Sequence, residues 1–262
     1  MSDSSRWLTK FWYTFWFFLK SYTAYFWSDG LYYLSNVISL VLVVWVWTLN
    51  SRADGSEIVN FILIGNLYFS LTSYSYKWVI YRDILQGNLS SKLVRPTNIW
   101  LYYLAGTLAA GSRIVLVNTV SLVGVAILFR QYLVWNWGWQ WLWIIPFLLT
   151  SFLIKFSLDA LTGVSAFWLT NAEGPIQIYE VTHTFLAGGV IPFGVLGTGY
   201  AWLQFQPLAF TLLHPVKVIL GEYSWQESLL FFIGSLFWGL LLWWLLVQIF
   251  KWGLKRYEGV GM

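Results

Sequence analysis

The chain has 262 residues, of which 58% are hydrophobic and 10% charged, with a formal net charge of +4 and no cysteine. Ordinary soluble domains carry about 25% charged residues, so a core this apolar has too little polar surface to face water. The missing cysteines exclude disulfides, thiolate metal sites and cysteine nucleophiles.

In chain order, residues 1–29 open with an amphipathic segment. At 100° per residue, Arg6, Thr9, Lys10, Thr14, Lys20 and Ser21 fall on one arc, with Leu8, Phe11, Phe15, Phe18, Leu19, Tyr22 and Phe26 opposite. Lysines facing aromatics predict a helix lying in the membrane interface. A secretory signal is the competing reading, but Lys20 interrupts the apolar run and no small-residue cleavage site follows it.

Apolar runs long enough to cross a hydrocarbon layer ~30 Å thick then recur. They predict an all-α integral membrane protein of about six transmembrane helices, with spans near 31–49, 58–80, 99–129, 141–169, 181–203 and 228–250. Residues 30–262 form one membrane domain, because the connections leave no room for a soluble unit of about 50 residues or more. The longest polar connection is 81–98, YRDILQGNLSSKLVRPTN, where a short helix stops at Arg95-Pro96. The fifth run is interrupted by Gly188, Gly189, Pro192, Gly194, Gly197 and Gly199, and Pro207, His214, Pro215 and Lys217 follow. This predicts a broken or re-entrant external segment between spans five and six.

With the amino terminus cytoplasmic, Arg6, Lys10, Lys20, Lys77, Arg82, Lys92, Arg95, Lys251, Lys255 and Arg256 lie inside and Arg52, Arg130 and Lys217 outside. The asymmetry places both termini in the cytoplasm. It also makes the positive charge a topological signal and not a mark of nucleic-acid binding. Many of the 20 tryptophans stand near span ends, as Trp135, Trp137, Trp139 and Trp141 do, which suits interfacial belts.

Three ionisable residues fall within spans, Arg113, Lys155 and Asp159. Such groups cost about 2.5–3.5 kcal/mol each on insertion scales and need partners. Lys155 and Asp159 share a helix face four residues apart, and Arg113 on the preceding span can approach the same carboxylate. They form either a structural ion cluster or part of a substrate path. His183 and His214 stand in no metal-ligand spacing, no HExxH occurs, and no GxxxxGK[ST] phosphate loop is present. The residues therefore offer no catalytic apparatus and no cofactor site of the chain's own.

The stretch Gly87–Pro96, GNLSSKLVRP, preceded by Arg82-Asp83-Ile84-Leu85, resembles the cytoplasmic loop of type-2 permeases of the ATP-binding-cassette (ABC) exporters, in a bacterial six-span subfamily. The region from Gly188 to Gly221, with Pro192, Phe193, Pro207, Leu208, Phe210 and Pro215, resembles the same subfamily's external segment. The resemblance implies a permease subunit in the bacterial cytoplasmic membrane, embedded in lipid. It implies a homodimer, or a heterodimer with a sister permease, energised by two cytoplasmic ATP-binding subunits that hold ATP and Mg. It further implies that Arg82, Asp83, Leu85, Gly87, Leu93, Arg95 and Pro96 belong to the coupling element that docks on the ATPase, and that Gly188, Gly189, Pro192, Pro207 and Pro215 belong to an external gate. The expected cargo is amphipathic or hydrophobic and moves outward. The reading from another class is a self-sufficient ion-coupled transporter using Arg113, Lys155 and Asp159.

Overall fold

The computed structural model describes residues 3–23, 30–50, 55–72, 76–95, 97–133, 138–188 and 198–257. Gly189, Pro192 and Pro96 lie outside them, as does the side chain of Arg113. The described residues form helices and no strands. They are α1 (Asp3–Thr23), α2 (Gly30–Asn50), α3 (Gly55–Thr72), α4 (Lys77–Leu85), α5 (Asn88–Leu93), α6 (Ile99–Leu128), α7 (Ile144–Val164), α8 (Glu173–Leu186), α9 (Leu213–Leu220) and α10 (Trp225–Leu254). Short 3-10 turns at Trp139–Trp143 and Ser165–Phe167 extend α7 at both ends. The resulting Trp139–Phe167 rod, α6 and α10 are each long and apolar enough to cross a membrane.

Helix boundaries follow local chemistry. Asn98, in extended conformation, accepts the Trp100 amide on its side chain and starts α6. Ser224 and Glu227 close a reciprocal capping box at the start of α10. Such a cap is worth about 1 kcal/mol. Ser224→Ala is accordingly expected to lower stability by about that amount, read as a small drop in the thermal midpoint of the detergent-purified chain. Pro215 sits in the first turn of α9, where a missing N–H costs nothing. Gly221 ends that helix at φ 79°, a left-handed conformation suited to glycine.

The interior is held by close approach and by polar side chains that satisfy one another. On α7 and α10, Ser235 donates to Thr150 at 2.9 Å and Gly239 rests on Leu153. Tyr68 of α3 donates to Ser151 of α7 at 2.9 Å, and Ser151 donates in turn to the Phe210 carbonyl at 2.8 Å. Hydroxyls paired across helices in this way substitute for the hydrophobic drive that lipid does not supply. Outward, α10 exposes Leu230, Ile233, Phe237, Leu240 and Trp244, and α6 exposes Leu116, Val120 and Ile127. Large apolar side chains at helical spacing on the outside are the pattern of a lipid-facing surface.

Two of the sequence boundaries are redrawn. The run expected at 58–80 is divided: α3 ends at Thr72 and α4 begins at Lys77, so the border set between Ile80 and Tyr81 falls inside α4. The helix expected from Val181 begins at Glu173, and after Leu186 and the left-handed Gly188 the next described element is the 3-10 stretch Thr198–Phe205. The amphipathic α1 packs on α6, with Phe18 edge-on to Tyr102 and to Tyr76.

Candidate functional site

The polar connection after α3 folds as a helical hairpin. Gln86 caps α4, and Gly87, at φ 76°, reverses the chain into α5. A Cβ is strained in that left-handed conformation, which is the physical use of glycine here. Ser90 Oγ donates to the Gly87 carbonyl at 2.7 Å and Ser91 Oγ to the Asn88 carbonyl at 2.8 Å. Leu89 and Ile84 are buried in the main apolar cluster, so the hairpin is fixed to the body and does not swing from it.

Its charges are arranged in two layers. Asp83 is turned inward, where it accepts from Lys92 of α5 and, at 2.9 Å, from the hydroxyl of the fully buried Tyr103 on α6. Lys92 Nζ also lies 5.0 Å from the Tyr102 ring centroid and 5.5 Å from that of Tyr103. The resemblance implies a place for Asp83 in the docking element. Its carboxylate is instead an internal brace joining α4, α5 and α6. Arg82, Leu85, Leu93 and Arg95 are exposed, with the Arg95 guanidinium 5.5 Å over the Tyr102 ring. Val94, which the sequence reading passed over, is the most exposed large apolar residue among the described ones, at 86%. The hairpin thus exposes Arg82 and Leu85 on α4 and Leu93, Val94 and Arg95 at the end of α5, a mix of apolar and basic side chains.

From the far side, the tail after α10 reaches the hairpin. The Ser90 amide donates to the Tyr257 hydroxyl at 3.3 Å, and the Tyr257 ring packs edge-on to Phe167. A Cβ on Gly253 would sit 2.0 Å from Phe167, so the absence of a side chain there allows α10 to approach the end of α7.

At the other end of α4 lies the buried charge cluster. Lys155 Nζ is 2.6 Å from both oxygens of Asp159. Lys77, the first residue of α4, stands 3.7 Å from Asp159 and 3.0 Å from Glu180 of α8. Trp78 Nε1 donates to Glu180 at 3.2 Å, and the Tyr179 ring lies 5.2 Å from Lys155 Nζ and 5.6 Å from Lys77 Nζ. Two lysines and two carboxylates form an electroneutral group, the condition under which buried charge is tolerated. Lys155 and Asp159 pair as their spacing predicts. Arg113, expected beside them, has its side chain outside the described residues, whereas Lys77 and Glu180 were missed. Nothing in local spacing could reveal partners 102 residues apart, as Trp78 and Glu180 are.

Between these clusters α4 is a rod of nine residues, ~13 Å long at 1.5 Å per residue. Its first turn is ionically tied to α7 and α8, and its last turn is tied to α5 and α6. Gly163 of α7 lets it approach, since a Cβ there would meet the Lys77 carbonyl oxygen at 2.8 Å. α4 therefore joins the hairpin to α7 and α8 as one short helix.

The segment after α8 is stitched together in a different way. Gln206 Nε2 donates to the Leu186 carbonyl at 2.6 Å, while Gln206 Oε1 accepts from the Leu208 amide and opens the turn that starts at Pro207. A Cβ on Gly188 would lie 3.3 Å from Leu213. His214 of α9 is fully buried against Phe231, with ring centroids 4.0 Å apart. Its Nε2 is 2.6 Å from the Gln204 carbonyl, which can only accept, so that nitrogen carries the hydrogen and Nδ1 accepts from Tyr223 at 3.0 Å. Burial pushes this imidazole down to about 4. Pro207, Pro215 and Gly188 thus belong to one packed segment; Gly189 and Pro192 fall outside the described residues.

No curated protein and no solved structure matches the chain. The family described as ABC-2 family transporter protein matches residues 47–261, a stretch that takes in the hairpin, the charge cluster and the stitched segment, so the chain belongs to that family and is an ABC-2 type membrane permease.

Proposed function

We propose that this permease is the membrane half of an ATP-driven exporter in a bacterial cytoplasmic membrane, with both termini in the cytoplasm. It works as a homodimer or with a sister permease. Two cytoplasmic ATP-binding subunits bind ATP and Mg and dock on the α4–α5 hairpin, while this chain performs no hydrolysis itself. Cargo of amphipathic or hydrophobic character moves outward past the segment between Gly188 and Gly221. The observation that carries the reading is the hairpin, a rigid element braced by Asp83, Lys92 and Tyr103 whose outer face offers Leu85, Leu93 and Val94 flanked by Arg82 and Arg95. Apolar anchors ringed by arginine are what a groove on a soluble partner engages.

The test replaces the anchors without touching the brace. Leu85→Asp and Leu93→Asp alter exposed positions, so insertion and gel-filtration behaviour should match the parent chain. Co-purification of the ATP-binding subunit is expected to fall by about tenfold or more, since a central anchor contributes at least about 2 kcal/mol. Substrate-stimulated ATP hydrolysis should disappear with it. Full assembly and transport in both variants would remove the hairpin as the docking element.

A further inference from the structure

An apolar cavity of about 780 Å³ opens between α6 and α7, with Trp243 of α10 also in its lining. Its two long walls run in opposite directions. α6 starts beside the hairpin, where Tyr103 meets Asp83, whereas α7 runs toward it, since Phe167 at the end of the rod packs on Tyr257 and Tyr257 bonds Ser90. Along α6 the lining extends from Asn98 to Leu108, ten residues or ~15 Å. That is half of a hydrocarbon layer ~30 Å thick, the depth of a single leaflet. Aromatic rings gather at the hairpin end. The Trp100 ring lies 4.8 Å from Phe250 and 5.8 Å from Trp243, and Trp243 lies 6.3 Å from Phe156. Tryptophans so placed mark the level of the membrane interface. At the other end Leu149 is 66% and Leu108 38% exposed, so the cavity opens sideways into the lipid.

We infer that this slot holds an acyl chain of a membrane lipid from the leaflet on the hairpin side, its ester end beside Trp100 and Trp243 and its terminal methyl between Leu108 and Leu149. Chemistry and shape together select that occupant. The lining is hydrocarbon apart from the indole N–H groups and the Asn98 amide, whose oxygen already accepts from the Trp100 backbone, so water finds too few partners to fill it. Spread over ~15 Å, the volume leaves a slot about 8 Å across. A helix with its side chains is about 10–12 Å across, so a span of a second copy does not enter, whereas an extended hydrocarbon chain does. Lipid tails are as apolar as leucine, so the gain on entry is one of contact: an empty slot leaves its walls without atoms to pack on. The chain thus serves as packing material between α6 and the α7–α10 pair. The site depends on the slot's depth, width and lining, and it stands whether or not an ATPase docks on the hairpin.

The test places the full chain in phosphatidylcholine nanodiscs doped with a phosphatidylcholine whose acyl chain carries a diazirine, either next to the ester or next to the terminal methyl. Photolabel mapped by mass spectrometry should fall on Trp100, Phe156 and Trp243 with the ester-end probe and on Leu108, Leu148 and Leu149 with the methyl-end probe. Both should be denser there than at Leu240 and Trp244, which α10 exposes to ordinary surrounding lipid. Leu104→Trp and Leu149→Trp fill the slot from opposite walls, and each should remove both labels from it while leaving those on Leu240 and Trp244 unchanged. The maps on the parent chain decide the matter even where a tryptophan prevents folding. Labelling no denser than at Leu240 and Trp244 would overturn the site, as would slot labels that persist in folded Trp variants. An exchange of places between the two probes would also overturn it, because the chain would then come from the opposite leaflet. So would disulfide-linked dimers of Leu149→Cys under mild oxidation, which would put a second copy in the slot.

Discussion

Asp159→Asn is expected to destabilise the folded chain by about 3–5 kcal/mol, the usual cost of removing one partner from a buried ion pair. Asp159 is 1% exposed and receives Lys155 through both oxygens. Asparagine fills the same space but leaves two ammonium groups facing the single carboxylate of Glu180. Glu180 lies against Lys77, so Lys155 is the group stranded without a counter-charge. The loss should appear as a lower thermal midpoint and a lower yield of monodisperse protein. Removing both charges together, as Lys155→Met with Asp159→Leu, should recover most of it, because a buried pair replaced by apolar groups is often neutral. An unchanged midpoint with transport lost would instead assign Asp159 to the cargo path.

Gly163→Ala should be the most damaging single methyl group available in α7. The added Cβ would stand 2.8 Å from the Lys77 carbonyl oxygen and 3.0 Å from Ile80 Cβ, and the backbone of α4 cannot rotate aside as a side chain can. Overpacking of this kind costs about 1–3 kcal/mol. The functional effect should exceed what stability alone implies. Moving α4 away from α7 draws Lys77 off Asp159 and Glu180, so ATP hydrolysis should proceed on the docked partner with less transport per ATP. Gly174→Ala serves as the control: it lies in α8 with nothing within 4 Å of the new Cβ, and it should be neutral or raise stability by up to about 1 kcal/mol. If the two variants behaved alike in both assays, α4 would not be the link between hairpin and membrane domain.

How much was legible in the sequence depended on whether the cause was local. The start of α6 falls at Ile99 as expected, beside its local cap Asn98, whereas α10 begins at Trp225 and not at the expected 228, because the Ser224–Glu227 capping box that starts it is polar and lies outside the apolar run. Gly87 likewise announces the turn between α4 and α5. The break between α3 and α4 was hidden although Ser73, Ser75 and Lys77 interrupt the run, because the apolar and aromatic residues on either side keep a hydropathy average high, and such an average does not register a helix that stops and restarts. The early start of α8 was hidden for the opposite reason: from Glu173 to Glu180 the helix is amphipathic, and its polar face kept it below an apolar threshold. The inward turn of Asp83 depends on Tyr103, 20 residues away on another helix, and the contact of α4 with α7 depends on a glycine 86 positions after Lys77. Periodicity reports which face of a helix is apolar. It does not report which neighbour that face will meet.

The bond between Ser90 and Tyr257 sets an order on how the molecule is made. The hairpin emerges from the ribosome early, yet the amide of Ser90 receives its partner only after another 167 residues have been synthesised and α10 has been inserted. Until then Phe167 lacks the bare face of Gly253, and α5 lacks the tyrosine that covers it. A nascent permease therefore has its hairpin unbuttressed on that far side, while in a completed one the tail of α10 ties α5 to the end of α7.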